Sequence, residues 1–171
     1  MRFLARGVAA TALALAAAAA LIGVNAGAAN AASPMSVRLA PLSNTGLTVE
    51  VVGGSYDNWA TIDQWPVNSG SNQIWKFVPV GNAYEIVNTR SGRCMSAFSD
   101  GTAAFQFTCD GADLQLWYTT LQPGNAVGYW IQNKASTLYL NVSGGSGAQG
   151  ATINTERLGT GLGQYFLGIS A

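Results

Sequence analysis

"NQIWKF" occupies residues 72–77, "LQLWYT" residues 114–119 and "GQYFLG" residues 163–168. Each carries a glutamine, one spacer and a large aromatic: Gln73 with Trp75, Gln115 with Trp117, and Gln164 with Phe166. The first two glutamines are 42 residues apart and the second two are 49 apart. Recurrence at a near-constant period of this size marks a repeat architecture. On a strand, positions i and i+2 face the same side, so each glutamine is expected to point with its ring. A buried amide bonding backbone groups at a turn, beside a ring filling the core, is the structural reading. A ring exposed to stack on a ligand is the functional alternative.

The surroundings of the tags repeat in the same order. "IVNTRSGRCMSA" at 86–97 aligns with "IQNKASTLYLNV" at 131–142, and "LSNTGLTVEV" at 42–51 aligns with both more loosely. A Gly/Ser turn follows each, then "ATIDQW", "TAAFQF" or "ATINTE", then the tag. This divides the chain into repeats of about 36–80, 81–125 and 126–171. Beyond residue 33 the apolar pattern predicts short strands: "TVEVV", "ATIDQW", "IWKFVPV", "YEIVN", "AAFQF", "YWIQN", "LYLNV" and "ATINT". Gly, Asn, Ser and Asp separate them, as turns require. The class is all-β. Units of four short strands cannot each bury a face alone, and closing three around a common axis gives them one core and few edges.

Residues 1–31 read as a signal peptide. Arg2 and Arg6 precede the apolar run 8–24, and Ala29 and Ala31 give the small-x-small arrangement of a cleavage site. The run is short for a membrane span, and no stop-transfer charges follow it. Its alanine-rich style is that of a bacterial secreted protein. Removing Arg2 and Arg6 from the eight basic residues leaves six against eight acidic, a net charge of about −2. No basic stripe exists, so nucleic acid is excluded as a partner.

The sequence has no histidine, which removes Ser-His and Cys-His catalysis and histidine metal sites. Nothing in it calls for a metal or a cofactor. Cys94 and Cys109 are the only cysteines. In an exported chain an isolated pair reads as a disulfide. It closes a separation of 15 residues and stabilises by about 3 kcal/mol on loop-entropy grounds.

The triple Gln-x-aromatic, the cysteine placement and the order "NTRSGRCMSA", "GTAAFQFTC", "DLQLW" in the middle repeat resemble the ricin B-type lectins. The resemblance implies a β-trefoil of three repeats with pseudo-threefold symmetry and one possible sugar pocket per repeat. It also implies that the tag aromatics belong to the core. A sugar needs a ring for its C–H face and carboxylates or amides for its hydroxyls. The family pattern places an acidic residue after the first hairpin, then a polar residue and an aromatic roughly thirteen to fifteen positions on. An asparagine stands just before the tag glutamine.

In the first repeat Glu50, Asp63, Trp65 and Asn72 fill all four positions, with Tyr56 and Trp59 as possible additional contacts. Glu50 stands where aspartate is usual and Asp63 where glutamine is common. In the second repeat Ser96, Phe107 and Leu114 leave hydroxyl recognition weak. In the third, Asn141 and Asn154 are polar, but Glu156 stands where a ring is expected and Gly163 replaces the asparagine. The resemblance therefore implies a secreted, non-catalytic carbohydrate-binding protein for galactose-type sugars or plant and microbial polysaccharides. Two readings from other classes remain open. One is a trefoil-based inhibitor or protein-interaction module. The other is a glycosidase using Glu50 and Asp63, whose carboxyls would need to flank a sugar about 5 Å or roughly 6.5–9.5 Å apart.

Overall fold

The computed structural model describes residues 34–121 and 128–171. Residues 1–31, expected to be a signal peptide, lie outside the described residues. The first repeat supplies strands β1 (Met35–Pro41), β2 (Leu47–Val51), β3 (Ile62–Pro66) and β4 (Trp75–Val80). The second supplies β5 (Ala83–Asn88), β6 (Cys94–Ser96), β7 (Phe105–Phe107) and β8 (Leu116–Leu121). The third supplies β9 (Tyr129–Asn133), β10 (Tyr139–Val142), β11 (Ile153–Glu156) and β12 (Phe166–Ser170).

β1 pairs with β4, β4 with β5, β5 with β8, β8 with β9, β9 with β12, and β12 returns to β1, every pair antiparallel. The circuit is a closed barrel, which leaves those strands without a free edge. The remaining strands form the hairpins β2–β3, β6–β7 and β10–β11. The hairpins join one another by single bridges: Thr61 to Phe105, Ala103 to Asn154, and Thr152 to Asp63. Each bridge uses the corresponding position of its repeat, so the three hairpins form a triangle. A closed barrel with a triangle of hairpins is a β-trefoil.

Apolar residues of all three repeats meet at the core. Ile62, Ala104 and Ile153 are fully buried, as are Val49, Met95 and Leu140. The tag rings Trp75, Trp117 and Phe166 are fully buried too. Two of them also tie barrel to hairpin: Trp75 Nε1–H donates to Val49 O at 2.9 Å, and Trp117 Nε1–H donates to Met95 O at 3.0 Å. The Phe166 ring has no N–H and fills the same place by packing alone.

The glutamines are not on the strands. Each ends a short 3-10 turn, Ser71–Gln73, Asp113–Gln115 or Leu162–Gln164, and only the aromatic is on the strand. The reason is the reach of the amide. Gln73 accepts from Asn68 N–H at 2.9 Å and donates to Pro66 O at 2.9 Å. Gln115 does the same with Asp110 and Thr108, and Gln164 with Gly159 and Arg157. The partners lie five and seven residues back in every repeat. Each buried amide thus closes the loop between its hairpin and its barrel strand, and satisfies backbone groups that would otherwise be orphaned.

The disulfide forms. Cys94 and Cys109 are bonded, with their Cα atoms 5.1 Å apart, and join β6 to the segment after β7. No helix among the described residues is long and apolar enough to cross a membrane.

Candidate functional site

The first hairpin carries most of the candidate residues because its register places them on one face. Val49, Val51 and Ile62 turn into the core and are fully buried. The alternating positions must therefore face the other way. Glu50 stands directly opposite Asp63, and Thr48 directly opposite Trp65. Directly opposed residues of an antiparallel pair share a face, with Cβ atoms about 5 Å apart. Two carboxylates and an indole thus come together on one patch of β2–β3.

Both carboxylates are deep, Glu50 6% exposed and Asp63 7%. Glu50 Oε2 accepts from Gln73 Nε2 at 2.7 Å. The tag glutamine therefore reaches the site as well as the loop. Asp63 Oδ1 is buried with no hydrogen-bond partner. Burial, and then the charge of Glu50, raise the Asp63 pKa from 3.8 to about 6. Trp65 is 38% exposed, and its ring borders the third repeat at Gly150, where an added Cβ would lie 3.7 Å from Cζ3.

Asn72 sits at the edge of this patch, and both its side chain and its backbone are held. Its Nδ2 donates to Val51 O at 3.2 Å, and its own carbonyl accepts from Asn88 Nδ2 at 2.8 Å. The structure thus attaches Asn72 to the end of β2, one residue beyond Glu50.

Tyr56 and Trp59 face elsewhere. The connection between β2 and β3 is pinned to the second repeat, because Gln106 Nε2 donates to both Ser55 O and Asp57 O. The Tyr56 ring lies under the Arg90 guanidinium, 5.2 Å from it. The Trp59 ring packs against Phe98, Phe105 and Phe107. The ring density of "SAFSDGTAAFQF" at 96–107 was the sequence signal for this second cluster.

The other hairpins show what the first has kept. In the second, Ser96 opposes Phe105, so a ring stands in the position of Asp63. In the third, Asn141 opposes Asn154 and donates to its Oδ1 at 2.9 Å, while Asn154 Nδ2 donates to Glu156 Oε1 at 3.0 Å. Tyr139 stands directly opposite Glu156. The facing strand thus supplies a ring that the sequence pattern did not reveal. Gly163 takes the Asn72 position, where an added Cβ would come within 3.1 Å of Asn141 Oδ1 and 3.0 Å of Gly145 Cα. No side chain fits there without displacing the backbone.

The closed barrel, the hairpin triangle and the three glutamine clamps define a lectin-type β-trefoil. The family described as "Ricin-type beta-trefoil lectin domain-like" matches residues 36–104 and 80–156, and the chain belongs to that family. A search of the curated proteins finds no match. Among solved structures, the chain is similar to the designed threefold-symmetric protein ThreeFoil. The identity is 24% and the TM-score 0.74, over 80% of this chain and 99% of that one. It is similar to a Macrolepiota procera ricin B-like lectin in complex with lactose, at 19% identity and TM-score 0.69, over 80% and 96%. It also resembles part of an exo-beta-1,3-galactanase from Clostridium thermocellum, at 27% identity and TM-score 0.74. There it covers 80% of this chain but 30% of the enzyme.

Proposed function

We propose that the chain is a secreted, non-catalytic carbohydrate-binding protein whose first repeat takes a galactose-type sugar or a plant or microbial polysaccharide. The observation that carries this reading is Asp63: its buried Oδ1 lacks a partner, and the exposed Trp65 lies two residues on along the same face. A buried acceptor without a donor is costly, and a ligand hydroxyl would relieve it once a turn of the Asp63 carboxyl brings that oxygen to the surface. The indole offers the apolar plate against which a sugar's C–H face packs. Glu50, oriented by Gln73, accepts a second hydroxyl, and Asn72 closes the edge.

Lactose in the Macrolepiota lectin and galactan in the Clostridium enzyme motivate the galactose-type assignment. The arginine-led apolar segment at residues 1–31 supports export. Binding without catalysis suits the carboxylate geometry. Glu50 and Asp63 are neighbours on one hairpin face, buried beside each other, whereas glycoside hydrolysis needs two carboxyls flanking the scissile bond.

A single shallow sugar site is weak alone, and polymeric ligands gain by presenting many copies of the epitope. The test is a binding screen of the secreted protein against immobilised galactosides, galactan and xylan. Saturable retention, released by free sugar, is expected. Retention of a protein partner with no retention on any glycan would replace this reading with an interaction module.

A further inference from the structure

The second repeat holds a cavity whose chemistry differs from that of the first. It has a volume of about 130 Å3, small for a typical ligand pocket. Trp59, Phe98, Phe105 and Phe107 wall it, with Asp110 and Leu114 among the other lining residues. Trp59 packs on Phe107 at 4.7 Å between centroids and on Phe105 at 4.8 Å, and Phe98 packs on Phe105 at 4.6 Å. Trp59 and Phe98 lie nearly parallel, 5.9 Å apart at 10°.

These rings are not ordinary core. Trp59 is 58% exposed and Phe98 41%. Trp59 also has φ +69, a left-handed conformation that bulky residues rarely adopt. Such backbone persists only where the surroundings impose it. Here they do: Trp59 N–H donates to Gln106 O at 2.8 Å, and Asn58 Oδ1 accepts from Thr108 N–H at 2.8 Å. The first repeat's connection is thus held so that its indole covers the second repeat's hairpin.

Inside the cup the neutral polar side chains are already bonded. Ser96 Oγ–H donates to Cys94 O, and both ends of the Gln115 amide are used on its loop. Leu114 and Phe105 replace the amide and carboxylate of the first site. The one charged group on the wall is Asp110, whose Oδ1 accepts only from Ala112 N–H and which has no Lys or Arg partner within 4 Å among the described residues. The nearby Arg93 donates to Tyr56 O and to Thr108 Oγ1.

We infer that this cup binds a quaternary ammonium group, such as the trimethylammonium of a choline-like molecule. Aromatic faces carry negative quadrupole potential and attract a cation within about 6 Å of the ring centroid. A carboxylate on the wall adds to that potential. A quaternary nitrogen has no N–H, so the charge of Asp110 suffices and no further acceptor is needed. A sugar would find one carboxylate for several hydroxyls, and a primary ammonium could pair only part of its three donors there.

The experiment is an NMR titration of the protein with choline chloride, following the backbone amide signals of Phe105, Phe107 and Asp110, which every variant keeps. The neutral isostere 3,3-dimethylbutan-1-ol is titrated in parallel. A saturable choline shift is expected, at least tenfold tighter than for the alcohol. Asp110→Asn should weaken it severalfold, and Trp59→Ala should remove it while sugar retention at the first repeat persists. Should Trp59→Ala unfold, Phe98→Ala, at an exposed ring, serves the same purpose. Sedimentation with phosphatidylcholine vesicles, against phosphatidylglycerol, tells a lipid headgroup from a free amine. Equal affinity for choline and the alcohol would overturn the inference, as would the absence of a choline shift or its survival in both ring variants.

Discussion

Glu50 and Asp63 face each other across β2–β3, both more than nine-tenths buried, and only Glu50 has a side-chain donor. Asparagines occupy the same positions in the third repeat, where Asn141 donates to Asn154. The first repeat has two carboxylates instead, and burial, then repulsion from Glu50, work against the ionised form of Asp63.

The pair makes stability depend on pH. The folded Asp63 pKa is about 6, against the ordinary aspartate value of 3.8, so between these the native state binds the extra proton. The stabilisation is fully present below about pH 4 and is lost as pH rises through about 6. Asp63→Asn removes this loss and can donate to Glu50 as Asn141 does to Asn154. The variant should exceed wild type by about 1 kcal/mol at pH 7, after discounting for solvent screening, and lose that advantage near pH 4. Urea unfolding of both proteins across this range measures the difference, and an unchanging difference would contradict it.

Ligand binding should show the opposite trend. If Asp63 accepts a sugar hydroxyl as a carboxylate, protonation removes the acceptor. Affinity measured by calorimetry should fall by roughly tenfold between pH 7.5 and pH 5, with the break near the Asp63 pKa of about 6. A flat profile would show that Asp63 does not contact the ligand as an anion.

The tag glutamines separate scaffold from site. Gln115→Ala leaves Asp110 N–H and Thr108 O without their buried partner and should cost about 2 kcal/mol in unfolding free energy. Gln73→Ala should cost a similar amount and also release Glu50. Sugar affinity should fall in the Gln73 variant and hold in the Gln115 variant. Equal effects on binding would mean that the Gln73–Glu50 contact plays no part.

Much of the architecture was legible because the repeat restates it. The run "ATIDQW" holds all of β3 except Pro66, and "YWIQN" and "LYLNV" contain β9 and β10. β1 was missed because "MSVRLAP" ends on a proline, which on a barrel strand is tolerated only near a terminus. Placing Gln73, Gln115 and Gln164 on strands was wrong, since spacing of two residues alone cannot tell a strand from a 3-10 turn leading into one. The pairing of Tyr139 with Glu156 was hidden because cross-strand register is set by hairpin length, not by the order of residues along one strand. Trp59 was grouped with the first repeat by proximity in sequence. Its contacts are set by Gln106, a side chain of the next repeat.

The account rests on one claim, that the first hairpin's indole and carboxylates hold a sugar. Its most direct measurement is affinity chromatography on immobilised galactose and galactan, comparing wild type with Trp65→Ala. Trp65 is 38% exposed and its ring also packs on the third repeat, so the variant is first shown to be folded by its far-ultraviolet circular dichroism. Wild type should be retained and eluted by free sugar, and the variant should pass through. Retention of the variant equal to that of wild type would contradict the account.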